Sequence, residues 1–218
     1  MTTTLIIPAA GRGSRFGADI PKQYLALRGR PVLTWTLQAF AGEVDRAIIA
    51  VDKAWMPTAQ AIAVGASYPI TLVLGGATRQ ASVLAALRIA GDGIILVHDA
   101  VRPLVPKRCI ADCISAVRDH GSALVAIPCA STIKRTVDGR TVAATVPRDD
   151  LWLAQTPQGF RREIGLAAFA DPAAETCSDD AQVLERAGHA PVLVLGDARN
   201  LKITTPDDLA LAEAILSG

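Results

Sequence analysis

The chain of 218 residues has almost no net charge: 22 lysines and arginines stand against 21 aspartates and glutamates, leaving +1 at neutral pH. Without a concentrated positive field, there is no physical reason to expect nucleic acid or an anionic membrane as partner. No apolar run approaches the roughly 20 residues of a membrane span, and the N-terminus lacks a basic-then-apolar leader. These absences predict a soluble, cytoplasmic protein that acts on a small molecule. Cysteine is sparse, and Cys109, Cys113, Cys129 and Cys177 have no zinc-like spacing. They read as reduced packing residues, with Cys109 and Cys113 on one face of a helix. His98, His120 and His189 are scattered as well, so a histidine metal site or a Ser-His-Asp relay has little support. Repeats, low-complexity tracts and linkers are missing. At this length, with half the residues hydrophobic, one domain over 1–218 is the natural reading.

What is present is a rhythm. Short runs rich in Val, Ile and Leu, namely "TLIIPA", "RAIIAVD", "ITLVLGG", "GIILVHDA", "SALVAIP" and "PVLVLGD", are bounded by Gly, Pro or Asp and read as strands buried on both faces. Between them, "PVLTWTLQAFAG", "TRQASVLAALRIAG", "CIADCISAVRDHG" and "DDLALAEAILSG" carry apolar residues three and four apart and read as helices. Such alternation predicts an α/β three-layer sandwich around a mostly parallel sheet, with ligands bound beyond the carboxyl ends of its strands. One segment breaks the pattern. In "TIKRTVDGRTVAATVPRDDLWLAQT", Asp138-Gly139 lies between two alternating runs, a strong hairpin signal. An excursion of this kind often projects from the body and pairs with another subunit.

The first strand runs directly into "AAGRGSRFG". A dinucleotide fingerprint needs its third glycine one residue before Gly17, and a Walker loop needs glycine where Phe16 stands, so neither motif is present. The physics common to both survives: glycines after a strand let backbone N–H groups turn toward an anion at close range. Arg12 and Arg15 add charge, and "PKQYL" supplies Lys22. "VHDAVRP" puts Asp99 at a strand end, where a lone carboxylate is costly unless it meets a cation or metal. Arg102 follows closely, and "NLKIT" brings Lys202 after the last strand. A glycine loop, one oxygen ligand and several cations suit a polyphosphate with Mg²⁺. Nucleotidyl transfer to a phosphate acceptor fits well, because such an acceptor is already anionic and requires no general base; the enzyme positions two anions and neutralises charge.

Taken in order, "PAAGRGSRFG", "PKQYL", "GGATRQASV", "VHDAVRP", "TIKRT", "QTPQGF" and "LKITTPDDLALAE" resemble, nearly end to end, the cytidylyltransferases that act on 2-C-methyl-D-erythritol 4-phosphate in non-mevalonate isoprenoid synthesis. The resemblance implies a nucleotidyltransferase fold with a projecting arm at about 130–150. It implies Arg15, Lys22 and Lys202 as the catalytic cations, and Ala9, Ala10, Gly11 and Gly13 along the nucleotide. Gly76 and Ser82 would face the cytosine edge, Asp99 would place Mg²⁺ or another divalent cation, and Arg102 would support the acceptor. Thr132, Arg148 and Lys202 would contact methylerythritol phosphate, the first two from an arm reaching into the partner's site, which implies a homodimer. His98 is left as a packing or supporting residue. Arg199 stands before Asn200 where some relatives carry an acidic residue, so Asp197 becomes the candidate for any second acidic metal contact. Some relatives are fused to a following cyclodiphosphate synthase domain; a chain stopping after "DDLALAEAILSG" is expected to perform only the cytidylyl step.

The nearest alternative is the sister enzyme that charges ribitol 5-phosphate with CMP, which shares the glycine loop and the aspartate strand end; "GGATRQASV" and "PKQYL" look more like the methylerythritol group. A non-catalytic nucleotide-sensing subunit would lack some of the catalytic charges, yet Arg15, Lys22, Asp99 and Lys202 are all present. The misplaced third glycine counts against a nicotinamide-dependent oxidoreductase.

Overall fold

A computed structural model describes residues 1–11 and 20–217. The chain begins with β1 (Thr3–Ala9), makes a small antiparallel pair from β2 (Ala26–Leu27) and β3 (Arg30–Pro31), and enters α1 (Val32–Ala39). There follow β4 (Arg46–Val51), α2 (Met56–Val64), β5 (Ile70–Leu74), α3 (Arg79–Ile89), β6 (Ile94–Val97), α4 (Lys107–His120) and β7 (Ser122–Pro128). The arm consists of β8 (Ile133–Thr136) and β9 (Val142–Val146), and the chain returns through β10 (Trp152–Arg161), α5 (Arg162–Phe169), α6 (Asp180–Arg186), β11 (Val192–Leu195) and α7 (Pro206–Ile215).

Seven strands form one sheet in the order β11-β7-β10-β6-β1-β4-β5. Its neighbours run parallel except at β10, which is antiparallel to both β6 and β7. The arm explains the exception: the chain leaves at the end of β7 and turns back as a hairpin, so its return strand must oppose β7. Within β10 the ladder with β7 shifts register between Ala154 and Gln158, around a cis Thr156–Pro157 bond.

The alternation of side chains explains why the runs read as apolar throughout. Leu5 and Ile7 of β1 point to one face, where α1 and α4 cover them with Leu33, Leu37, Cys109, Ile110 and Val117. Ile6 points to the other, against Val83 and Leu87 of α3 and Phe160 and Phe169 around α5. All four cysteines are free and buried, and Cys109 and Cys113 share the core face of α4. Two strands differ from expectation. β5 and β11 lie at the sheet edges, so one flank of each has no covering neighbour, and Leu74, Leu193 and Leu195 are exposed rather than buried.

The hairpin falls where Asp138-Gly139 predicts it. Gly139 has φ +74°, a left-handed conformation that favours glycine. One Asp138 carboxylate oxygen accepts from the Arg140 and Thr141 amides at 2.8 and 2.7 Å, which closes the turn locally.

Candidate active site

From β1 the sheet grows in one direction through β4 and β5, then resumes on the other side of β1 with β6. A crevice opens at such a reversal, beyond the carboxyl ends of β1 and β6. Here it is a cleft of about 290 Å³ whose walls include Ala9, Ala10, Gly11, Lys22, Gly76, Ser82, Asp99 and Lys202. The sequence reading grouped these residues, and the fold brings them together. Gly13 and Arg15 lie outside the described residues.

Each wall has a local cause. The Gln23 side-chain amide donates to Ala9 O at 2.7 Å and Gly11 O at 3.3 Å, fastening the Lys22 segment to the end of β1. At Gly75 the chain passes so close to Ala10 that a Cβ would stand 2.3 Å from the alanine Cβ, so the close packing of these two strand ends depends on glycine. Thr78 caps α3 by accepting from the Ala81 amide at 3.0 Å. Ser82 Oγ donates to Thr78 O at 2.9 Å and accepts from the Gly76 amide at 3.1 Å. Ser82 therefore shapes the turn that lines the cleft.

Asp99 is the electrostatic centre. It is 8% exposed, with Lys202 Nζ at 3.0 Å and Arg102 Nε at 3.2 Å on one carboxylate oxygen and Arg79 Nε at 3.4 Å on the other. Burial alone would raise its pKa, but Arg79, Lys202 and Arg102 outweigh that and hold the carboxyl well below the usual carboxylate range. Burial likewise opposes the charge on Arg79; Asp180 and Asp99 overcome it and keep the guanidinium protonated.

Behind Asp99, Thr156 Oγ1 accepts from the Asp99 amide at 3.1 Å and so donates its own proton to His98 Nδ1 at 3.0 Å, leaving Nε2–H to donate to Arg102 O at 3.0 Å. This is the neutral tautomer, and burial pushes the His98 pKa down to about 4. His98 supports the strand end and has no free nitrogen for proton transfer. Asn200, fully buried, donates to Thr156 O at 2.7 Å, and its own carbonyl accepts from Arg102 Nη1 at 2.7 Å; these bonds anchor the segment that carries Lys202.

A second cleft of about 260 Å³ lies on the β10 side, lined by Arg102, Gln155, Thr156, Gln158 and Asp179. Arg79, Asp99 and Lys202 belong to both clefts and form the wall between them. Arg79, Asp180, Thr156 and Asn200 escaped the sequence reading. Arg79 carried a usable signal, since it follows the helix cap Thr78 in a turn already suspected of facing the ligand.

Three expected positions do not join this cluster. Thr132 and Arg148 lie exposed on the arm, and Arg148 donates to Ala130 O beside it. Asp197 is engaged by Arg108 at 2.8 Å and by Arg199 at 3.0 Å, and it lines neither cleft, so nothing among the described residues around it favours a second acidic metal contact. Among the described residues, no group of three or more His, Cys, Asp or Glu side chains could hold a metal ion.

An open, mostly parallel α/β sheet with a cation-walled crevice at its reversal point, divided into two adjoining clefts, is the architecture of a nucleotidyltransferase. Residues 3–218 match the family model described as IspD: 2-C-methyl-D-erythritol 4-phosphate cytidylyltransferase. The protein of that name from Geotalea uraniireducens is 44% identical over 227 residues, covering 99% of this chain and 97% of the relative. That from Chromobacterium violaceum is 45% identical over 228 residues, covering 97% and 96%. The crystal structure of the Thermus thermophilus protein of the same name aligns over the whole of both chains with a TM-score of 0.82 and 36% identity. The chain belongs to the 2-C-methyl-D-erythritol 4-phosphate cytidylyltransferase (IspD) family.

Proposed function

We propose that the protein transfers CMP from CTP to 2-C-methyl-D-erythritol 4-phosphate, giving 4-diphosphocytidyl-2-C-methyl-D-erythritol and pyrophosphate. The observation that carries the reading is the wall of Arg79, Asp99 and Lys202 common to two clefts. A nucleotide along Ala9–Gly11 and an acceptor phosphate beside Arg102 would meet across it. The acceptor oxygen attacks the α-phosphorus as the bond to pyrophosphate breaks, and the displaced charge leaves on pyrophosphate. The attacking phosphate is already ionised, so a general base is unnecessary, in keeping with a His98 that is neutral and fully hydrogen-bonded. Lys22 lies along the nucleotide cleft, and Arg15 is assigned beside it from sequence. Lys202, held by Asp99 and with its side chain 45% exposed, is presented to substrate phosphate. Their task is to hold two anions together and to offset the charge that develops in the transition state.

The donor set fits one divalent cation. Mg²⁺ characteristically takes one or two carboxylates and fills its shell with phosphate oxygens and water, and Asp99 offers one carboxylate in the nucleotide cleft. Bound there with CTP, the cation would neutralise triphosphate charge and favour departure of pyrophosphate. Gly76 and Ser82, on the capped turn at the cleft's edge, are assigned to the cytosine.

The working unit in this reading is a cytoplasmic homodimer. Thr132 and Arg148 line neither cleft of their own chain, and the arm that carries them leaves Val137 and Val142 exposed, which supports an arm that delivers both residues to a second copy. Among the described residues no helix is long and apolar enough to cross a membrane.

The test is pyrophosphate release with Mg²⁺, comparing CTP, ATP and UTP as donors and methylerythritol phosphate and ribitol phosphate as acceptors. Release with CTP and methylerythritol phosphate alone is expected. Release only with ribitol phosphate would overturn the acceptor, and silence with every pair would overturn the activity.

A further inference from the structure

Asp180 stands in the first turn of α6, fully buried, and both of its carboxylate oxygens accept from one side chain: Arg79 Nη1 and Nη2, at 2.7 Å each. The remaining guanidinium nitrogen, Nε, faces Asp99 Oδ1 at 3.4 Å. Arg79 is thus a planar bridge from a buried carboxylate to the one in the wall between the two clefts.

Stability is a poor explanation for such a pair. Burying two charges costs desolvation that their attraction roughly cancels, and apolar side chains of similar volume often serve as well or better. What an apolar pair cannot do is aim Nε at Asp99 while keeping the terminal fork elsewhere. Arg102 and Lys202 both contact Asp99 Oδ2, whereas Arg79 alone of the three cations faces Oδ1. A guanidinium prefers to grip a carboxylate with two parallel bonds. With Asp180 neutralised, the fork of Arg79 is free to close on Asp99 and compete with Lys202 for Oδ2.

We infer that Asp180 is a positioning residue: by occupying the fork of Arg79, it preserves the Asp99–Lys202 contact where donor and acceptor phosphates meet. The consequence for turnover rests on the cytidylyl-transfer reading; the consequence for geometry does not.

Three variants decide it. Asp180→Asn is expected to lower kcat by about tenfold or more with KM for CTP changed less than about threefold, because the loss lies in alignment rather than in uniform binding. Asp180→Glu, which keeps the charge, is expected to recover most of that loss. The double variant Arg79→Met with Asp180→Leu removes the fork together with its anchor; Arg79 then no longer competes with Lys202 for Asp99, so kcat is expected to rise above that of Asp180→Asn, with a thermal midpoint near that of the wild type. A double variant no faster than Asp180→Asn would show that the loss does not come from the fork of Arg79 and would overturn the inference. So would an Asp180→Asn protein with normal kcat, assayed well below its melting temperature. A crystal structure of Asp180→Asn gives a readout independent of activity. The fork of Arg79 on Asp99, with Lys202 displaced, supports the inference; an unmoved Lys202–Asp99 contact overturns it. Should the wild-type protein release no pyrophosphate, the functional reading falls and the crystal structure still decides the role of Asp180.

Discussion

The wall between the two clefts and the arm are built on opposite rules. In the wall, the carboxylates are buried and each charge is tied to groups distant in sequence: Asp99 to Arg79 and Lys202, Arg79 to Asp180, Arg102 to the backbone carbonyl of Asn200. Among the described residues, β8 and β9 of the arm pair only with each other, and the bonds that shape the turn come from near neighbours to Asp138. A two-stranded hairpin without a covering layer is marginal on its own. The geometry of the wall is therefore a property of one chain, whereas the arm has apolar residues, Val137 and Val142, that no other described residue buries. A change in the wall should register in the stability and chemistry of a single chain; a change in the arm should register in assembly.

The largest effect falls on Asp99. Asp99→Ala removes the carboxylate that Arg102 and Lys202 share and leaves Arg79 with Asp180 alone. Stranding partners of a buried ion pair costs about 3–5 kcal/mol, and the lower end applies here because Lys202 can recover water. Urea unfolding measures the loss, and pyrophosphate release should fall by about 100-fold or more. A cost under about 1 kcal/mol would mean that the wall is no more knit together than the arm.

The same contrast accounts for what the sequence reveals. The β1, β4, β6 and β7 segments announce themselves because apolar runs between Gly, Pro and Asp have few other uses, and α4 because its apolar residues recur at helical spacing. α5 is less visible, with Gly165 inside it, and α6 has only seven residues. The turn of the arm is legible for the reason that makes it autonomous: Asp138, Gly139 and their bonds are local. In the site, Asp99 stands out as a charge at a strand end, and Lys22 and Lys202 as lysines in the segments that follow strands. Arg79 and Asp180 do not, because their meaning lies in a contact across 101 residues that no local pattern encodes. The edge positions of β5 and β11 were hidden for a similar cause, since strand order depends on packing rather than on the composition of either strand.

Acid should separate the two regions next. Burial lowers the His98 pKa from 6.5 to about 4, so between those values the unfolded chain binds a proton that the folded chain does not. Stability from this group is complete above about pH 6.5, declines as pH falls, and has lost about 3 kcal/mol, in order of magnitude, near pH 4. The depressed pKa of Asp99 acts in a lower window, where its contribution disappears as pH drops below the ordinary carboxylate value of about 4. In the arm, Asp138 is held at about 2, chiefly by the amides of Thr141 and Arg140, so the turn keeps its carboxylate across the His98 window. Urea midpoints of metal-free protein should therefore fall between about pH 6.5 and 4, with the slope reduced in His98→Asn. An unchanged slope in that variant would remove His98 as its source.

The smallest effect on the folded chain, and the sharpest test of the contrast, belongs to the arm. Val142 is 59% exposed, so Val142→Ser should change the unfolding free energy of the body by no more than about 0.5 kcal/mol. If the arm is an interface, the same substitution should weaken self-association, measurable by sedimentation over a range of concentrations. Mixing then asks where the arm acts. Lys22→Ala damages the cleft and leaves the arm intact; Arg148→Ala does the reverse. Each protein alone should be nearly inactive. If arms serve their own chain, a mixture contains no complete site and stays inactive. If arms cross to the partner, the mixed dimer joins the intact cleft of one subunit to the intact arm of the other, and activity returns. A mixture that stays inactive although the subunits exchange would assign Arg148 to the site of its own chain, and a fully active Arg148→Ala protein would leave it an exposed arm residue.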